Sequence, residues 1–155
     1  MMFSKPRLSL QRRFLLRLSR LKKEKRPPKR KTRMPKIMLA EDDLTMLRLL
    51  KTLMQLEGFE SVGLDYNEDV LEAVHREAPD VLLLDVHLTQ GNGLDFLRQM
   101  RADPRFDGLI VLMASGMSLK DECLAAGANE FLLKPFMPDT LISAIRFLLS
   151  SRATS

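Results

Sequence analysis

At 155 residues and 17.8 kDa the chain has room for one domain with a full core, and its 45% hydrophobic content suits a globular protein. A lone cysteine, Cys123, excludes an intramolecular disulfide, no Cys/His spacing suits zinc, and no stretch approaches the roughly 20 apolar residues of a membrane span. The formal charge of +5 is unevenly placed: up to Arg33 there are fourteen Lys/Arg against Glu24 alone, a net +13, whereas from Met34 onward eleven basic and nineteen acidic residues give −8.

The basic segment, residues 1–33, comes first. Its apolar run at Phe14–Leu16 is cut by Arg17 and is too short for a signal peptide, so a cytoplasmic location is expected. Phe14, Leu15, Leu18 and Leu21 among arginines read either as a basic amphipathic helix for an anionic membrane or as a nucleic-acid-binding arm. The plainer reading is a disordered extension, since so few apolar residues cannot repay the entropy of ordering. A native start at Met34 would remove it altogether. Pro27-Pro28 inside the Lys/Arg run stops any helix, which puts the expected domain at 34–150, with 151–155 as a tail.

From there the pattern alternates. Ile37–Ala40 reads as a strand running into Glu41-Asp42-Asp43; Leu44, Leu47, Leu50 and Met54 recur at helical spacing until Gly58. Ser61–Leu64 is a weak second strand, followed by a helix with Val70, Leu71 and Val74 that ends before Pro79. Val81–Leu84 is an unbroken apolar run ending on Asp85, the mark of a parallel strand covered on both faces. Gly91 and Gly93 mark a loop before a helix carrying Leu94, Leu97 and Met100. Strand Leu109–Met113, a short helix Lys120–Ala126, strand Phe131–Leu133 and a last helix from Pro138 complete the series.

Five strands each followed by a helix predict an α/β fold, a doubly wound five-stranded parallel sheet with helices on both faces. Its site belongs at the carboxyl ends of the strands. There stand Glu41 and Asp42, then Asp85, Ser115 and Lys134. Clustered carboxylates repel and call for a cation, and an all-oxygen donor set with phosphoryl chemistry suits Mg²⁺. A carboxylate can itself be the nucleophile of an aspartyl phosphate, with Lys134 as counter-charge and Ser115 as hydroxyl donor. Each residue alone has a plainer role: Asp42 and Asp43 as helix caps, Asp85 as a turn residue, Phe131 as core, and His75 and His87 as surface histidines.

The strings KIMLAEDD, VLLLDVHLTQGNG, AAGANEFLLKPF and, less closely, VLMASG resemble the receiver domain of two-component response regulators, from Lys36 to about Ser150. The resemblance implies flavodoxin-like strand order and a phosphoryl group accepted on Asp85 from the phosphohistidine of a histidine kinase or phosphotransfer protein. It further implies Mg²⁺ held by Glu41, Asp42, Asp85 and the backbone carbonyl of His87. Lys134 would pair with phosphoryl oxygens, and Phe131 would be the aromatic that changes rotamer. Catalysis would be limited to self-phosphorylation and self-dephosphorylation, and with few residues after the last helix the expected output is binding to a downstream protein.

Two features depart from the family. The loop after Asp85 reads HLTQGNG where the family usually has Met and Pro before the glycines, so His87 and Thr89 are atypical. The stretch from Ser115 to Lys134 is short by nearly a helical turn, so that either Ser115 or Met113 holds the hydroxyl position. DVHLT is also similar to the DxDxT of haloacid-dehalogenase-like phosphatases, with His87 in place of the second Asp; a degenerate receiver serving only as a binding module is the other alternative.

Overall fold

The computed structural model describes residues 33–153. Residues 1–32 of the basic extension, and with them its nucleic-acid and membrane readings, lie outside the described residues. Five parallel strands form the sheet: β1 (Lys36–Ala40), β2 (Glu60–Gly63), β3 (Val81–Asp85), β6 (Ile110–Ser115) and β7 (Glu130–Leu133), in the order β2-β1-β3-β6-β7. The helices α1 (Leu44–Leu56), α2 (Val70–Glu77), α3 (Gly93–Arg101), α4 (Lys120–Ala125) and α5 (Pro138–Ala153) connect or follow them. This is the doubly wound α/β sheet expected from the alternation of strand and helix signals.

The period-two alternation of side chains sorts the core into two layers. Met38, Ala40, Leu82, Leu84, Val111 and Met113 pack with Val70 and Val74 of α2, Leu94, Leu97 and Met100 of α3, and Cys123 of α4. The intervening residues, Ile37, Leu39, Val81, Leu83, Ile110 and Leu112, pack with Leu50 and Met54 of α1 and Leu141, Ile142 and Ile145 of α5. Every residue of β3 and β6 is buried, which is why both read as unbroken apolar runs.

Local chemistry sets the helix ends. Asp43, Asp69 and Asn92 cap α1, α2 and α3 by accepting from backbone amides of the first turn. Gly58 follows α1 with φ +80°, while α2 ends on Ala78, which adopts the left-handed conformation without being glycine. Several boundaries differ from the sequence expectation. Strand β6 runs through Ser115, so that residue belongs to the sheet and not to the following loop, and α5 continues to Ala153, past residue 150. The loop expected after Asp85 contains a small antiparallel ladder, β4 (His87–Leu88) with β5 (Gly91–Asn92), turning at Thr89-Gln90. Pairs of two residues are too short to carry any periodic signal.

At the amino-terminal edge of the sheet, Asp80 ties three segments together. Its Oδ2 accepts the Lys36 backbone N–H at 2.8 Å, its Oδ1 accepts Arg152 Nη2 at 2.9 Å, and its own amide donates to the Lys36 carbonyl at 2.9 Å. Asp80 is 8% exposed, whereas the Arg152 side chain is 46% exposed, so the backbone bond dominates. Asp80→Ala leaves the Lys36 amide without its acceptor and should lower unfolding free energy by about 2 kcal/mol. A urea midpoint unchanged from the parent would refute this role.

Candidate phosphoryl-acceptor site

Three strands deliver the site to the carboxyl edge of the sheet. Adjacent strands β1 and β3 pair in register from Ile37 opposite Val81 to Ala40 opposite Leu84. Glu41 and Asp42 therefore emerge next to Asp85, the last residue of β3. On the other side, Asp85 lies opposite Ala114 of β6, and Ser115 opposite Leu133 of β7. The Lys134 backbone N–H donates to the Ser115 carbonyl at 2.8 Å, which extends the β6–β7 ladder by one bond and aims the lysine at the same edge. The Lys134-Pro135 peptide that follows is cis.

Lys134 joins two carboxylates that are 93 and 49 residues away in the chain. Its Nζ donates to Glu41 Oε2 at 2.7 Å and to Asp85 Oδ2 at 2.6 Å. The Glu41 and Asp85 side chains are only 9% and 11% exposed, so this ammonium balances two desolvated anions. Burial by itself would lower the Lys134 pKa, but the hydrogen bonds to Asp85 and Glu41 outweigh it, and the net direction is upward. The lysine is therefore held as a cation. The remaining oxygens also have partners: Glu41 Oε1 accepts the Asp43 amide at 3.0 Å and Asp85 Oδ1 the His87 amide at 3.1 Å.

Asp42 is arranged differently. Its Oδ2 accepts both the backbone N–H and the hydroxyl of Thr89, the latter at 2.7 Å. His87 opens β4 with its amide on Asp85 and its ring exposed. Ser115 is fully buried, and its Oγ accepts the Met117 amide at 3.1 Å. Met113 is fully buried in the core beside Leu84 and Phe131, two residues short of the edge, and Phe131 itself is 8% exposed in that layer.

Among the described residues, no three Asp, Glu, His or Cys side chains are gathered so as to hold a metal ion by themselves. The donor chemistry nonetheless suits Mg²⁺, which takes only one or two protein carboxylates and fills its octahedron with water and phosphate oxygens. Glu41 and Asp85 meet at this edge, with Lys134 on one oxygen of each, and Asp42 stands beside them on the turn that contains Thr89.

Sequence reasoning singled out the edge residues but not the device that shapes their loop. Gly93 donates its amide to the Val86 carbonyl at 2.7 Å, and a Cβ on it would lie 2.2 Å from the Asp85 carbonyl oxygen. The glycine pair in the GNG string signals a turn, but nothing local reveals which backbone it approaches.

Comparison with known proteins agrees with this architecture. Residues 37–146 match the response regulator receiver domain family. The chain is 36% identical over 117 residues to the transcriptional regulatory protein CpxR of Escherichia coli K12, covering 75% of this chain and 50% of CpxR. A crystal structure of a putative response regulator from Chloroflexus aurantiacus J-10-fl superposes with a TM-score of 0.70 at 29% identity, covering 76% of this chain and 99% of that one. The receiver domain of the sensor histidine kinase PA1611 from Pseudomonas aeruginosa PAO1 has the same fold, with a TM-score of 0.65 at 21% identity over 75% of this chain and 98% of its own. That protein was crystallised with a magnesium ion coordinated in its active site cleft. The present chain spans about half the length of the curated relatives it matches. Among the described residues no helix is long and apolar enough to cross a membrane. Strand order, the acidic edge and the match over residues 37–146 agree, and the chain belongs to the response regulator receiver domain family.

Proposed function

We propose that this receiver domain, assigned to residues 34–150, accepts a phosphoryl group on Asp85 from the phosphohistidine of a histidine kinase or phosphotransfer protein, and signals by binding a downstream protein. The observation that carries this reading is the bridge from Lys134 Nζ to both Asp85 and Glu41 at the carboxyl edge of the sheet. An Asp85 carboxylate oxygen attacks phosphorus as the phosphorus–nitrogen bond of the donor breaks, and the freed imidazole keeps the electron pair and takes up a proton. Lys134 then offsets the charge on the phosphoryl oxygens, since its ammonium is already within hydrogen-bond reach of the acceptor. Mg²⁺, held through oxygens of Glu41, Asp42, Asp85 and the His87 carbonyl, would supply further charge neutralisation on those oxygens.

Ser115 is the hydroxyl residue in this reading, because it ends β6 at the site edge while Met113 is enclosed in core. A hydroxyl donates and accepts together, so Ser115 Oγ could donate to a phosphoryl oxygen while it accepts the Met117 amide, drawing the β6–α4 loop toward the site and repacking it against Phe131. Water attack on phosphorus breaks its bond to the Asp85 oxygen, releasing inorganic phosphate and returning the carboxylate, so catalysis is confined to the domain's own phosphorylation state. The match to the receiver family does not favour the haloacid-dehalogenase-like phosphatase or the degenerate receiver. Any nucleic acid or anionic membrane would be engaged by residues 1–33.

Incubating the protein with acetyl phosphate and Mg²⁺ should give a single acid-stable, base-labile adduct on the peptide containing Asp85, and chelating the metal should abolish its formation. Equal labelling in the presence of chelator, or an adduct on another residue, would refute the assignment.

A further inference from the structure

We propose that Thr89 is a positioning residue that competes with the divalent cation for Asp42 Oδ2, so that drawing Asp42 onto the ion loosens a Thr89–Asp42 clasp. The inference rests on the metal reading given under Proposed function.

The observation is a doubled bond to one atom. The backbone N–H and the hydroxyl of Thr89 both donate to Asp42 Oδ2, although the two residues are 47 apart in sequence. Hydrogen bonds to an ionised carboxylate are shorter and stronger than neutral ones, and here two act on the same oxygen. Thr89 is exposed, so packing does not account for its place. The next residue fastens the same turn from the other side: Gln90 Nε2 donates to the Asp65 carbonyl at 3.1 Å, and among the described residues its Oε1 is buried without a hydrogen-bond partner. The β4–β5 turn is thus tied both to the loop after β1 and to the loop after β2.

The consequence follows from what each carboxylate faces. Glu41 and Asp85 converge on Lys134, whereas the clasp holds Asp42 against the turn, and no three acidic groups are gathered for a metal among the described residues. A cation that draws Asp42 toward Glu41 and Asp85 loosens both Thr89 bonds. The loop after Asp85 therefore senses metal occupancy through Thr89. Proline, usual here by the resemblance, has neither an N–H nor a hydroxyl and could form no such clasp.

The test is calorimetric titration of Mg²⁺ into the unphosphorylated full chain and into Thr89→Val, which keeps the side-chain shape and removes one donor. The variant should bind Mg²⁺ roughly tenfold more tightly, the scale of one lost charge-assisted bond. In the parent protein the Thr89 amide proton should move upfield as Mg²⁺ saturates the site, a shift that a merely structural threonine would not show. Equal or weaker affinity in Thr89→Val, with an otherwise unchanged amide spectrum, would overturn the clasp, weaker binding showing that Thr89 instead orients Asp42 for the ion. If neither protein bound Mg²⁺, the metal reading would fail and the clasp with it, whereas equal binding by both would remove the clasp alone.

Discussion

Asp85→Ala is expected to take up no phosphoryl group from acetyl phosphate, where the parent takes one, while remaining folded. Loss of labelling follows from removing the proposed nucleophile, since no other carboxylate shares its position at the end of β3. Retention of the fold follows from electrostatics. Asp85 and Glu41 are two nearly buried anions on one ammonium, and deleting Asp85 leaves Glu41 and Lys134 as a neutral pair at 2.7 Å. The lost stabilisation is one hydrogen bond from Lys134 and one from the His87 amide; the relief is the repulsion between like charges. These oppose each other, and the net change in unfolding free energy should lie within about 1 kcal/mol of zero. Mass spectrometry and urea unfolding on the same sample check both parts. Stoichiometric labelling of the variant would remove Asp85 from the mechanism, and an unfolded variant would show that the acidic edge stabilises the domain.

Gly93→Ala should be the most damaging glycine-to-alanine change among the described residues. An added Cβ would meet the Asp85 carbonyl oxygen at 2.2 Å, the Asp85 carbonyl carbon at 3.1 Å and the Val86 Cα at 3.0 Å. All three are backbone atoms of the segment that presents Asp85, so no rotamer change can relieve the contact. Overpacking of a well-filled interior costs about 1–3 kcal/mol, and a clash with backbone belongs at the upper end, about 3 kcal/mol. Relief requires the chain after β3 to move, which also weakens the 2.7 Å bond from the Gly93 amide to Val86 and displaces Asp85 from Lys134. Labelling should therefore slow together with the loss of stability. Gly116→Ala is the control: a Cβ at that position meets nothing within 4 Å among the described residues, and the variant should change stability by less than about 0.5 kcal/mol. Equal stability of the two variants would show that the β3–α3 connection adjusts without cost.

Some of this was legible in the chain itself. Strand and helix existence followed from hydrophobic periodicity, because burial on one or both faces repeats at two or 3.6 residues wherever an element is long enough. The cap at Asp43, named from the sequence, satisfies amides within three residues of itself and is a local fact; those at Asp69 and Asn92 are as local, but the sequence reading did not single them out. That the chemistry stands at strand ends followed from the general geometry of doubly wound sheets. Glu41, Asp42, Asp85, Ser115 and Lys134 could be named on that basis.

What tertiary structure decided were the pairings among them. Lys134 reaches Glu41 and Asp85 because the order β2-β1-β3-β6-β7 places β1 and β3 side by side and β7 two strands from β3, a distance a lysine side chain can cross. Thr89 meets Asp42, Gly93 meets the Asp85 carbonyl, and Asp80 clamps Lys36 and Arg152 for the same reason. Residue pattern encodes which side chains turn inward, since that depends on the local period. It carries no register between strands dozens of residues apart, and register determines which charges meet.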